Sequence, residues 1–206
     1  MKKEEIIAKI IAIEWKMFQD VPNIGGTAPC QEEQKTFEIM RMSQAASWSE
    51  AALESYLDDL IEAQKQERNL MTEKYARMMK STSPVEYSHI EHLVPPVTPE
   101  VFSLIEKIAV IVLGWEEELF RKYPLVLLHG RPIRSSSDTR FVTSLETYLK
   151  GELATYSPKT LKLYYEHLVK EQSERINGSE ITLLRTIKQY DFSSLEEANA
   201  KLKSGA

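Results

Sequence analysis

The chain has 206 residues, 42% apolar and 28% charged, a globular composition with length for one large domain or two small ones. Its net charge of −5 arises in the first half, since acidic and basic residues balance from Pro99 onward, which excludes the clustered basic face of a nucleic-acid binder. With no apolar run near the roughly 20 residues of a membrane span, no signal-peptide core after Met1-Lys2-Lys3-Glu4-Glu5, and a single cysteine, Cys30, a cytoplasmic protein is expected.

Ile6, Ile7, Ile10, Ile11 and Phe18 recur at three- and four-residue spacing, which predicts a helix over 2–20 that Val21 to Gly26 stops. A second helix is predicted over 31–45. Ser47 with Glu50 reads as a capping box for a third, which meets no Gly or Pro before Met79 and would extend roughly 45 Å. Ser83-Pro84 starts a short helix, and Pro95-Pro96 marks a seam. Beyond it, Thr98 as cap and Pro99 at the first helical position open a helix carrying the most apolar segment, Ile108 to Leu113. An irregular loop is expected over 124–140. Thr143 with Glu146 then caps a helix, Ser157-Pro158 starts the next and Asn177-Gly178 ends it, followed by helices over 179–190 and 193–203, the last capped by Ser193 with Glu196. No strand pattern survives, so the fold class is all-α.

The second half reads as a diverged copy of the first. Ala46-Ser47-Trp48-Ser49 with Leu53, Tyr56 and Leu60 recurs in constant register as Ala154-Thr155-Tyr156-Ser157 with Leu161, Tyr164 and Leu168. Thr36 and Glu38 fall on Ser144 and Glu146, and after a gap Trp15, Phe18 and Pro22 match Trp115, Phe120 and Pro124. The expectation is two related helical halves, 1–97 and 98–206, packed about a pseudo-twofold axis as one unit, with their corresponding loops facing a shared cleft.

The strongest candidate for chemistry is the loop Gly130-Arg131-Pro132-Ile133-Arg134-Ser135-Ser136, whose two guanidinium forks and hydroxyls suit a phosphate or carboxylate. Structural roles compete with that reading: the arginines could bridge helix C-termini or acidic side chains, and the serines could cap the next helix. The matching first-half loop, Asn23-Ile24-Gly25-Gly26 leading to Cys30, offers backbone amides for close approach to a ligand, or simply turns the chain. Cys30 fits packing better than nucleophilic chemistry, since no histidine is near in sequence. Glu14, Glu38 and Glu146 adjoin these loops, and an inward-facing Glu38 and Glu146 could act as an acid and base pair, although Glu146 already has a capping role. Arg41 and Gln44 lie along the second helix as further candidate wall residues. His129 is the histidine best placed as a general base. His89 and His92 share a helical face, but two histidines are too few for a metal, and no metal is expected. Met40, Met42, Met71, Met78 and Met79 read as core filler.

The runs Glu14-Trp15 with Met17-Phe18, Asn23-x-Gly25-Gly26 to Cys30-Gln31, and Phe37-x-Ile39-Met40-Arg41-x-Ser43-Gln44 carry a family resemblance. So do Asn69-Leu70-Met71 with Lys74-Tyr75-Ala76-Arg77, Gly130 to Ser136 with Asp138-Thr139, and Thr143-Ser144-x-Glu146 to Leu153. Over nearly its whole length the chain resembles a bacterial family known only as domain of unknown function 4125. The resemblance implies a polar site in these loops and helix starts, but no activity or cofactor. It also implies that some relatives are joined to nucleotidyltransferase-like domains. Thr27 stands where relatives suggest Arg, and Ser137 where they suggest an acid.

The resulting expectation is binding of a small anionic metabolite or nucleotide, gripped by Arg131 and Arg134 with help from Asn23, Gly25, Gly26, Ser135 and Ser136. Arg41, Gln44 and Glu146 would line the wall, with acid–base work, if any, by Glu14, Glu38 or His129. The alternative is a non-enzymatic adaptor docking on a partner protein through the acidic first half.

Overall fold

The computed structural model describes residues 1–23 and 26–204, so Gly25 of the candidate loop lies outside the described residues. Among those described there are eleven α-helices and no strand. In chain order they are α1 (Lys3–Gln19), α2 (Gln34–Ala46), α3 (Glu50–Lys65), α4 (Leu70–Thr82), α5 (Pro84–Ile90), α6 (Pro99–Lys122), α7 (Pro124–Leu127), α8 (Leu145–Leu153), α9 (Pro158–Ser173), α10 (Gly178–Lys188) and α11 (Leu195–Ser204).

The expected long third helix is instead two, α3 and α4, although no Gly or Pro separates them. Glu67 turns the chain through a positive φ of 56°. Asn69 then restarts it: its side-chain oxygen accepts from the Thr72 amide at 2.9 Å, while its Nδ2 donates to the Met17 carbonyl at the end of α1 at 2.7 Å. The same device follows α9, where Arg175 takes a φ of 58°. Asn177 accepts from the Glu180 amide at 3.0 Å and donates to the Trp115 carbonyl at 3.3 Å. Asn177 therefore begins α10; α9 has already ended at Ser173. Gly178 beside it leaves no room for a β-carbon, which would meet a Glu171 carboxylate oxygen at 2.6 Å and Trp115 at 3.1 Å.

Caps elsewhere are displaced by one or two residues from expectation. Ser49 caps α3 and Ser144 caps α8, each accepting the amide three residues on. At α11 Ser194 accepts from the Glu197 amide, and Glu197 reaches back to Ser193. Ser157 and Thr98 cap α9 and α6 as predicted.

One core joins the two parts of the chain. Helix α1 packs on α2, α3 and α4, as α6 packs on α8, α9 and α10; between the two sets α3 packs on α9, α4 on α8 and α2 on α10. At the α3–α9 contact Trp48 stacks on Tyr164 with centroids 4.3 Å apart, Tyr56 lies 4.5 Å from Tyr156, and Ser55 shares a 2.8 Å hydrogen bond with Thr160. This contact is filled by rings, and the cavity beside it, lined by Glu14, Arg41, Gln44, Trp48 and Tyr56, has only about 10 Å³, room for a single water. A smaller cluster of Ile187, Leu195 and Ala198 seats α11 against α10 and α7. Met71 and Met78 are buried as expected, but Met40 and Met42 are half-exposed on the outer side of α2.

Candidate functional site

Four charged side chains from four helices meet in the core: Glu14 of α1, Arg41 of α2, Lys74 of α4 and Glu152 of α8, all nearly or wholly excluded from solvent. Each stands on the apolar stripe of its helix, Glu14 between Ile10 and Phe18, and Lys74 between Leu70 and Met78. The geometry meets every charge. Arg41 grips Glu14 through Nε at 2.7 Å and through Nη2, and its Nη1 donates to Glu152 at 2.9 Å and Gln44 at 2.8 Å. Lys74 donates to the other Glu152 oxygen at 2.5 Å. Tyr56 donates to Glu14 and Tyr156 to Glu152, each at 2.7 Å.

Burial opposes the Glu152 charge, but Arg41, Lys74 and the Lys74 and Tyr156 hydrogen bonds outweigh it and hold this carboxyl well below the usual range. Burial and the adjoining carboxylates push Tyr56 and Tyr156 far up, so both phenols remain donors. Two positive and two negative charges thus neutralise one another. Glu14 is wholly excluded from solvent and accepts from Arg41 on both oxygens and from Tyr56 on one.

Lys74 connects this core to the surface. Its ammonium lies 3.5 Å from the centre of the Tyr148 ring, and Arg131 covers the same ring with its guanidinium carbon at 4.7 Å. Arg131 is exposed and donates through Nη1 to the Thr143 carbonyl at 3.1 Å. Among the described residues no carboxylate pairs with it, so its charge is available. Tyr75 adjoins the same place. Burial first, then the neighbouring Tyr148 and Cys30, push its phenol above the usual tyrosine range against the pull of Arg131.

The remaining candidates divide. Arg134 is neutralised, donating to Glu117 of α6 at 2.7 Å from Nε and 2.5 Å from Nη2. Ser135 gives its amide to Glu146 at 3.0 Å, and Glu146 also pairs with Lys150; these contacts hold the Glu146 carboxyl below the usual range despite burial. Ser136 and His129 are exposed. Glu38 accepts from Gln34 one turn earlier on α2 at 2.8 Å. The Asn23 amide nitrogen donates to the Val21 carbonyl and to Gln31 Oε1, and Gly26 takes a φ of 103° that suits glycine. His89 and His92 are exposed, and among the described residues no three potential metal ligands gather.

Sequence reasoning found Glu14, Arg41 and Gln44 but not their partners Lys74 and Glu152, nor Tyr75 and Tyr148. The available signal was a charged residue on an otherwise apolar helical stripe, which Lys74 and Glu152 both satisfy. Gln31 was also missed as an organiser: its amide nitrogen donates to the Phe18, Gln19 and Val21 carbonyls and its oxygen accepts from Asn23 and Ala28, locking the first loop onto the end of α1.

The family described as "Protein of unknown function (DUF4125)" matches residues 4–200, an interval that contains the ionic core and both loops. The chain belongs to the DUF4125 family. Within this DUF4125 chain the match spans every helix from α1 to α10. No curated protein and no solved structure matches it. No helix among the described residues is long and apolar enough to cross a membrane.

Proposed function

We propose that this DUF4125 protein binds a small anionic metabolite or nucleotide at the Gly130–Ser136 loop, with Arg131 as the anion grip and Tyr148 as its neighbour. The observation that carries the reading is Arg131 itself: an exposed guanidinium, fixed by the Thr143 carbonyl and the Tyr148 ring, whose charge no carboxylate neutralises. A positioned, unneutralised fork is suited to a phosphate or carboxylate. Arg134, already paired with Glu117, serves to hold the loop. The Glu14–Arg41–Glu152–Lys74 core is the rigid base that fixes Lys74 beneath Tyr148.

The proposal includes an origin by duplication. Matched residues Trp48 and Tyr156, and Tyr56 and Tyr164, meet at one ring cluster, the Asn69 and Asn177 caps are alike, and α4–α8 and α2–α10 are reciprocal contacts. Pseudo-twofold packing accounts for all three. A reducing, cytoplasmic setting suits the exposed single thiol, Cys30.

Mass spectrometry of small molecules released from protein purified under native conditions tests this reading. A phosphorylated or carboxylated compound retained by the wild type and missing from Arg131→Ala is the expected result. A second reading, a docking adaptor, takes its support from Phe141, 92% exposed at the tip of the turn over 139–142, which puts the docking surface in the second half and not on the acidic first half. If nothing anionic is retained and a protein partner co-purifies in a manner abolished by Phe141→Ser, the adaptor replaces the anion site.

A further inference from the structure

A second open space on the molecule does not include Arg131 in its lining. A cleft of about 400 Å³ lies at the end of α1 and the start of α2, lined by Trp15, Gln19, Thr27, Gln31, Glu32 and Gln34, a volume within the range of small-molecule sites. Its chemistry differs from that of the anion grip, since no basic side chain lines it and Glu32 makes it acidic.

One wall is fixed. Trp15 is half-buried, packed on Phe37 with centroids 5.2 Å apart and on Phe18 at 6.0 Å. Gln31 is buried and spends its whole amide on the loop. The remaining polar groups are uncommitted: among the described residues neither Gln19, Thr27 nor Glu32 engages its side chain in a hydrogen bond or ion pair, and the half-buried Trp15 indole N–H donates to no other residue. Gln34 keeps its amide oxygen free while its nitrogen donates to Glu38.

We propose that this cleft is a binding site for a neutral sugar ring. The exposed part of the Trp15 indole offers a small non-polar contact to the C–H groups of a sugar, and the sugar hydroxyls, which both donate and accept, match the carboxylate, amides, hydroxyl and indole N–H of the lining residues. An anion is disfavoured by Glu32, and the site has too many hydrogen-bonding groups for a purely apolar ligand. This assignment is independent of the Arg131 reading, because the ligand carries no charge.

Saturation-transfer NMR on the full chain with methyl β-D-glucopyranoside and methyl β-D-ribofuranoside tests it, with free adenine as the comparison. We expect transfer to the ring protons of at least one glycoside, with affinity about tenfold weaker in the exposed-residue variant Glu32→Ala and unchanged in Arg131→Ala. Trp15→Phe, which preserves the aromatic packing, should weaken it as well. Absence of transfer from either glycoside overturns the proposal. So does adenine binding in their place, or a glycoside signal indifferent to both Glu32→Ala and Trp15→Phe. Loss of binding in Arg131→Ala alone would instead assign the sugar to the other site.

Discussion

Arg41 holds two carboxylates from opposite parts of the chain, Glu14 and Glu152, so its removal strips Glu14 of its counter-charge in the core and leaves Glu152 to Lys74 alone. Breaking a buried pair of this kind costs about 3–5 kcal/mol, and chemical denaturation of Arg41→Ala should show a loss in that range. The pH dependence has a definite sign. Because the Glu152 carboxyl is held below its ordinary value of 4.5, the folded state binds its proton less readily than the unfolded chain. The stabilisation is present above pH 4.5 and is lost progressively as the pH falls below it towards the lower folded value. Glu152→Gln should have lower stability at neutral pH but a shallower decline through the acid range; an unchanged acid slope would contradict the pairing. At this scale the sequence was only partly legible. Glu14 and Arg41 stood out beside loops, whereas nothing local marked Lys74, whose ion-pair partner lies 78 residues away.

The helices themselves were largely readable, since apolar spacing and Ser-Pro or Thr-Pro starts are local signals. The α3–α4 break was not, because it depends on Asn69 reaching the α1 carbonyl of Met17 and on a non-glycine residue taking positive φ. Two predictions follow from that geometry. Asn69→Ala should lower stability by about 1 kcal/mol or more through the lost cap. Glu67→Gly and Arg175→Gly, at exposed positions with φ near +57°, should each raise the melting temperature, relief of left-handed strain outweighing the added freedom of the unfolded chain by about 0.5 kcal/mol. A drop in both would show that these turns are held by something other than backbone conformation. The caps displaced by one or two residues at α3, α8 and α11 have a simpler cause: several adjacent Ser and Thr residues can serve, and packing selects among them.

Across the whole molecule the two parts exchange contacts, α4 resting on α8 and α2 on α10, over a common core. The all-α class and the matched segments were visible in the sequence, but the closure of the α3–α9 contact by four aromatic rings was not, so the open space falls at the periphery instead of on the shared interface. Residues 1–97 expressed alone should lack cooperative thermal unfolding and recover it when co-expressed with 98–206, as judged by circular dichroism of each preparation. Independent folding of either piece would contradict a shared core. The proposed anion site belongs to this scale as well, since Arg131 of the second-half loop lies over the Tyr148 ring of α8, whose other neighbour is Lys74 of α4. Its most direct test is calorimetric titration of the intact protein with pyrophosphate, AMP and citrate, in parallel with Arg131→Ala and Arg134→Ala. Saturable binding of at least one anion, abolished by Arg131→Ala and retained by Arg134→Ala, is the predicted result; no heat from any of them, or equal binding by wild type and Arg131→Ala, would contradict it.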